Sequence, residues 1–443
     1  MASRNPTIAV SAPGKVLLAG GYLVLDRQHT GFVFGLDARI NVIAGEIRTT
    51  PGVQLTEIVV DSPQFHDAQW RYGYRLAELG GGIKITQLQV GSKISSNPFV
   101  ETTLSYALTY IDRIARHRPS HSMTSVRLII LADNDYYSHS GSADTHRGRF
   151  AKFPVTLGDA NKTGLGSSAA LVTSLTAALL THYLPRELFD IESDKGKRSL
   201  HNLAQAAHCA AQGKVGSGFD VAAAVFGSCR YKRFSPSTLS KIPEPGTPGF
   251  ADTLVQLIEE TSAWDVEVDK EEVKMPEGVV LRMCDVDCGS KTVSMVKKVL
   301  AWRAQDPEGS KQLWDQLQDR NQDLISTLKQ GDVDQLPAKL AAVRELVKKM
   351  GTSSDVPIEP NSQTELLDAI SGVKGVYGGV VPGAGGFDAL AVLMKDDAET
   401  KQRAESFLAE WAQVKGTKVK LLEVKGEMEG ARAESLDVYT GWI

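Results

Sequence analysis

The chain is 443 residues long, more than a single hydrophobic core usually organises, so two domains are the first expectation. Hydrophobic residues make up 42% and charged residues 23%, the proportions of a soluble globular protein. A net charge of −4 excludes the broad basic surface that nucleic acid or an anionic membrane demands, so any anionic ligand has to be met by local cations. Cys209, Cys229, Cys284 and Cys288 are too few for a disulfide scaffold at this size and form no C-x-x-C pair for zinc, so they read as reduced thiols. MASRNPTIAV lacks the apolar run of a secretory signal, and GWI matches no retention or peroxisomal tripeptide. A cytoplasmic enzyme with no evident obligate protein partner is the expectation.

In chain order, SAPGKVLLAGGYLVLD (11–26) places Lys15 after a Pro-Gly turn at the start of an apolar strand, and FVFGLDARINVIAGEI (32–47) continues the β-rich character. Residues 98–117 open at a proline and repeat Phe99, Leu104, Leu108 and Ile111 at helical spacing. SVRLIILA (125–132) reads as a buried strand, followed by a polar stretch to Phe150. SLHNLAQAAHCAAQ (199–212) reads as a helix ended by Gly213, leading into KVGSGFDVAAAVFGS. The proline-rich SPSTLSKIPEPGTPGF (235–250) is the best linker, which gives domains 1–235 and 236–443. Beyond it come a strand at GVVLRMCDVD, three helical segments between about 291 and 350, a strand at GFDALAVLM and a late helix-strand pair. Together these give an α+β fold with mixed or antiparallel sheets.

The stretch NKTGLGSSAALVTSLTAALL (161–180) sets flexible residues directly against helical ones. Glycine costs roughly 1 kcal/mol inside a helix, so Gly164 and Gly166 point to a special backbone shape instead. A glycine turn feeding a helix start offers unpaired N–H groups and partial positive charge, which suits a phosphate. A dinucleotide fingerprint would need a strand immediately before the loop, where GDANKT stands, and a membrane span would not carry Thr173, Ser174, Thr176 and Thr181. A buried helix with a serine N-cap accounts for Ser167 or Ser168 but leaves the glycines unexplained. A third glycine-rich stretch, YGGVVPGAGGFDALAVL (377–393), implies close backbone approach.

The three stretches, in this order and at these positions, resemble the GHMP kinase superfamily over nearly the whole chain, and within it the phosphomevalonate kinases of fungal and plant type. Lys162 in KTGLGSSAA carries the latter likeness, as do Gly21 and Tyr22, which stand where mevalonate kinases have glutamate and histidine. The resemblance implies a two-domain GHMP kinase fold with ATP bound between the domains and phosphoryl transfer to phosphomevalonate. It implies ATP contacts from Gly164, Leu165, Gly166, Ser167, Ser168 and Ala169, with Asn97 near the adenine and Ser168, or secondly Ser167, on Mg²⁺. Lys15, Asp220 and Lys162 are the implied catalytic residues. Taken alone, Asp220 also reads as an N-cap for VAAAVF and Lys15 as a strand-edge lysine. Lys15, Ser290, Lys291, Ser294, Gly385 and Arg147 are candidates for the acceptor, with Arg149 and Lys152 as further cations by location; Asp388 reads as a turn or strand residue.

Overall fold

Nearly continuous burial, rather than alternation, marks β1 (Ile8–Ala19) and β2 (Gly31–Glu46) as strands covered on both faces, and they pair antiparallel from Ile8↔Ala44 to Ala19↔Phe32. The computed structural model describes residues 6–47, 56–88, 96–116, 123–137, 148–286 and 292–443; Arg147, Cys288, Ser290 and Lys291 lie outside them. Pro13 and Gly14 do not form the expected turn. They lie inside β1 at a shift of register, where a bulge accepts a proline that cannot donate to the ladder.

Around this pair the chain adds β3 (Glu57–Asp61), β4 (Gln69–Leu76) and β5 (Ile83–Gln87), then α1 (Pro98–Ala115), β6 (Val126–Ala132), α2 (Ser167–Tyr183), α3 (Asp194–Gln212), α4 (Phe219–Phe226) and β7 (Cys229–Lys232). Next come α5 (Phe250–Glu259), β8 (Glu267–Asp269), β9 (Val279–Val286), α6 (Thr292–Gln305), α7 (Pro307–Gln330), α8 (Leu336–Ser354) and α9 (Asn361–Ser371). The chain then forms β10 (Val376–Val380), β11 (Ala389–Lys395), α10 (Ala398–Lys415), β12 (Val419–Glu427) and β13 (Arg432–Glu434).

The strands join in one sheet ordered β10-β11-β9-β12-β2-β6-β3-β4-β5, with β1, β7, β8 and β13 attached off this path. Of the described pairs, β3 with β6 is parallel and the others are antiparallel. This is the mixed, mainly antiparallel α+β arrangement read from the sequence. Helices α2 and α4 lie against β1 and β2, while α9 and α10 share a smaller core with β9 to β12. The sheet crosses the expected linker without a break: residues 236–241 form a 3-10 turn, and α5 packs against α1 and α3.

Two hydroxyls of the nearly wholly buried α2 are satisfied within the helix: Thr176 donates to the Val172 carbonyl at 2.7 Å and Ser174 to that of Leu171 at 3.2 Å, while the buried Thr173 and Thr181 hydroxyls have no hydrogen-bond partner among the described residues. Among the described residues no helix is long and apolar enough to cross a membrane.

Candidate active site

The bulged strand aims Lys15 into a cleft of about 550 Å³ whose walls come from both halves of the chain. The Lys15 backbone N–H donates to the Leu165 carbonyl at 2.8 Å, and Nζ donates to the Gly164 carbonyl at 3.3 Å. Gly164 and Gly166 have φ of 73° and 84°, the left-handed region that favours glycine. At Gly166 a Cβ would lie 2.9 Å from both Cγ and Cε of Lys15, so the loop can cross the lysine stem only without a side chain. Gly166 itself is the N-cap of α2, which corrects the serine-cap reading and leaves Ser167 and Ser168 half-buried in the first turn. Leu165 and Ala169 bury their side chains, so only their backbones are available to a ligand.

Asp220 lines the same cleft from the first turn of α4. Gly218, at φ 86°, is the N-cap, so Asp220 stands two positions further on and is not the cap the sequence allowed. Its Oδ1 accepts from the Val221 N–H at 3.0 Å. Burial pushes the Lys15 ammonium below the ordinary lysine pKa, and the Asp220 charge pulls it part of the way back.

The buried His208 links the two sides. Its Nε2 lies 3.1 Å from Ser168 Oγ and 3.2 Å from Gln212 Nε2, and its Nδ1 lies 3.9 Å from Asp220 Oδ2. Sequence reasoning missed it. The available signal was a polar stripe on the buried face of α3, His201, Gln205 and His208, at the spacing of one helix face. Lys214 and Lys297, which also line the cleft, were missed as well.

The third glycine stretch closes onto the first. Gly383 N–H donates to the Leu17 carbonyl at 3.2 Å, and Tyr22 Oη–H to the Ala384 carbonyl at 2.7 Å. Gly385 lines the cleft at φ 76°. Asp388 borders it too, at the edge of β11, and its Oδ1 is buried without a hydrogen-bond partner among the described residues.

Other candidates stand elsewhere. Lys162 is exposed beside the glycine loop, bridged to Tyr137, and the surrounding protein lowers its pKa from the ordinary value. Asn97 caps α1, its side chain accepting from the Val100 N–H at 3.3 Å while Glu101 accepts from the Asn97 N–H at 3.2 Å. Ser294 is exposed on α6, one turn before the cleft residues Val296 and Lys297. Arg149 is committed to Asp133 at 2.6 Å, and Lys152 lies over the Trp442 ring, so neither is among the cleft residues.

Residues 153–228, from just before the glycine loop to the end of α4, match the family described as GHMP kinases N terminal domain. Over 443 residues the chain is 76% identical to the phosphomevalonate kinase of Gibberella zeae, covering 100% of both chains. It is 44% identical to that of Aspergillus fumigatus, covering 98% of each. This chain belongs to the phosphomevalonate kinase family. In fold it is also similar to the Streptococcus pneumoniae phosphomevalonate kinase solved with phosphomevalonate and AMPPNP, with a TM-score of 0.60, 16% identity, and 94% of this chain and 100% of that one covered. For a phosphomevalonate kinase family member, Gly21 gains a physical reason: a Cβ there would lie 2.1 Å from the Gly383 carbonyl oxygen, where the first and third motifs touch.

Proposed function

We infer that this chain transfers the γ-phosphoryl group of ATP to the phosphate of (R)-5-phosphomevalonate, giving (R)-5-diphosphomevalonate and ADP in the mevalonate route to isoprenoids and sterols. The observation that carries the reading is the convergence of Lys15, Gly164 of the glycine loop and Asp220 on one cleft, in a chain 76% identical over its full length to a phosphomevalonate kinase. Phosphoryl transfer needs positioning and charge neutralisation more than covalent chemistry. The acceptor is already a phosphate with a second pKa near 6, so an acceptor oxygen is largely deprotonated at neutral pH and needs no strong base.

Backbone N–H groups from Gly164 to Ala169, at the positive end of α2, cradle the nucleotide phosphates, and Asn97 lies toward the adenine. Lys15 brings its ammonium to the transferring group, while Asp220 keeps that ammonium protonated and aimed. Lys162 adds charge at the outer face of the loop. The acceptor phosphate is met by Lys297, Lys214 and Gly385 of the cleft and by Ser294 on α6, and Arg147, Ser290 and Lys291 are kept as acceptor candidates on the sequence alone. Hard oxygen donors suit Mg²⁺, and the half-buried hydroxyls of Ser168 and Ser167 at the loop fit it; bound there with ATP, it neutralises phosphate charge. The working division is residues 1–235 with the glycine loop and 236–443 with the third motif, the cleft lying between them. We place the protein in the cytoplasm, acting on small molecules without an obligate partner.

The test is ADP release coupled to phosphomevalonate as sole acceptor, run beside mevalonate and homoserine. A kcat/KM for mevalonate equal to that for phosphomevalonate overturns the reading.

A further inference from the structure

The cleft wall at residues 215–218 leads straight into Asp220, and three successive carbonyls of this wall are held from behind by β7 and the residue that follows it. Arg233 donates through Nη2 to the Val215 carbonyl at 3.2 Å and the Gly216 carbonyl at 2.8 Å. Tyr231 Oη–H donates to the Ser217 carbonyl at 2.7 Å. The other arm of the Arg233 guanidinium, Nη1, donates to the Leu25 carbonyl at 2.9 Å, in a second segment of the chain that lines the cleft. Val215, Gly216 and Leu25 all line the cleft, so a single planar group spans two of its walls.

The clamp is itself held in return. Arg27, two residues beyond Leu25, donates through Nε to the Arg233 carbonyl at 2.9 Å and is ion-paired with Asp265. Arg233 has carbonyl partners only; among the described residues no carboxylate pairs with it, so its positive charge is left uncancelled behind the cleft.

The direction of these bonds matters for an anionic ligand. The peptides of residues 215–218 are trans, since among the described residues none is cis, and a trans peptide sets the N–H of one residue opposite the carbonyl of the residue before it. Carbonyls turned back toward Arg233 and Tyr231 therefore leave the N–H groups of Ser217 and Gly218 turned away from β7. Without the guanidinium, the Val215 and Gly216 carbonyls lose donors that water supplies only by loosening the wall, and they are free to turn their negative ends on the ligand.

We propose that Arg233 is a positioning residue of the acceptor site: it fixes the distance between the Leu25 and 215–217 walls and holds the loop carbonyls away from a phosphorylated acceptor. This rests on the functional reading above and adds the element that shapes the acceptor half. Lysine cannot replace it, since a point charge on a single stem does not fork across two loops.

The experiment compares wild type with Arg233→Met, Arg233→Lys and Arg233→Ala in the ADP-release assay. ATP affinity is measured separately by calorimetry without acceptor, and each variant is melted. Loss of two or three charge-assisted bonds predicts an acceptor kcat/KM about ten- to a hundredfold lower in Arg233→Met, mostly through KM. ATP affinity stays within about twofold because the 164–168 loop is untouched. Arg233→Lys falls between, and low-millimolar guanidinium, but not urea, restores part of the Arg233→Ala activity. Equal losses of ATP and acceptor affinity, an Arg233→Lys indistinguishable from wild type, or a loss tracking melting temperature with no guanidinium rescue each overturns the proposal. If Arg233→Met fails to fold, the lysine variant decides by the same criteria. A wild type inert towards phosphomevalonate overturns both readings, whereas an active wild type matched by all three variants overturns the clamp alone.

Discussion

Replacing Asp220 with asparagine separates charge from shape at the centre of the cleft. Asparagine Oδ1 can still accept from the Val221 N–H, now held at 3.0 Å, and the helix is capped by Gly218, so the local backbone keeps its bonds. What the fold loses is a carboxylate near a helix N-terminus, worth about 0.3–1 kcal/mol. A loss of that size moves the melting temperature of a chain this large by no more than about 2–4 °C. What catalysis loses is the partner that holds the Lys15 ammonium in its charged form, and removal of one preorganised electrostatic group costs about a hundredfold in kcat, or about 2.7 kcal/mol. The pH profile carries a signed signature. Burial already sets the Lys15 pKa below that of a free lysine and Asp220 raises it, so Asp220→Asn drops it further. The alkaline limb of kcat/KM therefore moves to lower pH in the variant. Steady-state ADP release across pH, nucleotide affinity and thermal unfolding on one preparation give all the readouts. A near-wild-type kcat with an unmoved alkaline limb would refute the coupling of Asp220 to Lys15.

Lys162→Ala, which removes an exposed charge beside the glycine loop, is expected to lower kcat/KM about ten- to a hundredfold with no loss of thermal stability; an unchanged value reduces Lys162 to a surface lysine. Gly21→Ala forces a Cβ to within 2.1 Å of the Gly383 oxygen, and overpacking of this kind costs about 1–3 kcal/mol, so both melting temperature and activity fall; a fully active, equally stable variant would show that the two motifs can separate. Burial pushes the thiols of Cys229 and Cys284 up to about 12 and raises that of Cys209, so iodoacetamide on the native protein at mildly alkaline pH leaves these three unmodified by mass spectrometry; alkylation of any of the three in the folded protein would refute their burial.

What the sequence disclosed was local. Residues 98–117 carry a proline start and a one-sided apolar stripe, and they become α1 with its Asn97 cap; the glycine loop and the helix after it stand where composition put them. Contacts between distant segments were hidden. Pro13–Gly14 looks like a turn because a bulge inside a strand uses the same residues, and only the facing Leu165 carbonyl tells them apart. His208 looked like filler in an alanine-rich helix, since its meaning depends on Ser168 and Asp220 arriving from other elements. Arg149 seemed well placed by proximity to the glycine loop, yet it had a nearer claimant in Asp133. The 235–250 stretch has a linker's composition, and within it Gly246 N–H donates to the Gly81 carbonyl, a contact that composition does not foretell.

The way the sheet is closed has a consequence for how the protein is made. β13 pairs with β1 and β12 with β2, and the hydrogen bond from Ser11 to Glu434 spans 423 positions of chain. At ribosomal speeds of about 5–20 residues per second, roughly 20–85 s separate synthesis of the two partners. Through that interval Arg39, 1% exposed in the finished fold, lacks both of its ion-pair partners, Glu427 at 2.7 Å and Glu434 at 3.8 Å. The early strands must therefore stay hydrated, or in the care of a chaperone, until the late ones emerge. A fragment ending before β12 would lack both Glu427 and Glu434, so the glycine-loop half on its own would leave the buried Arg39 guanidinium without either ion-pair partner.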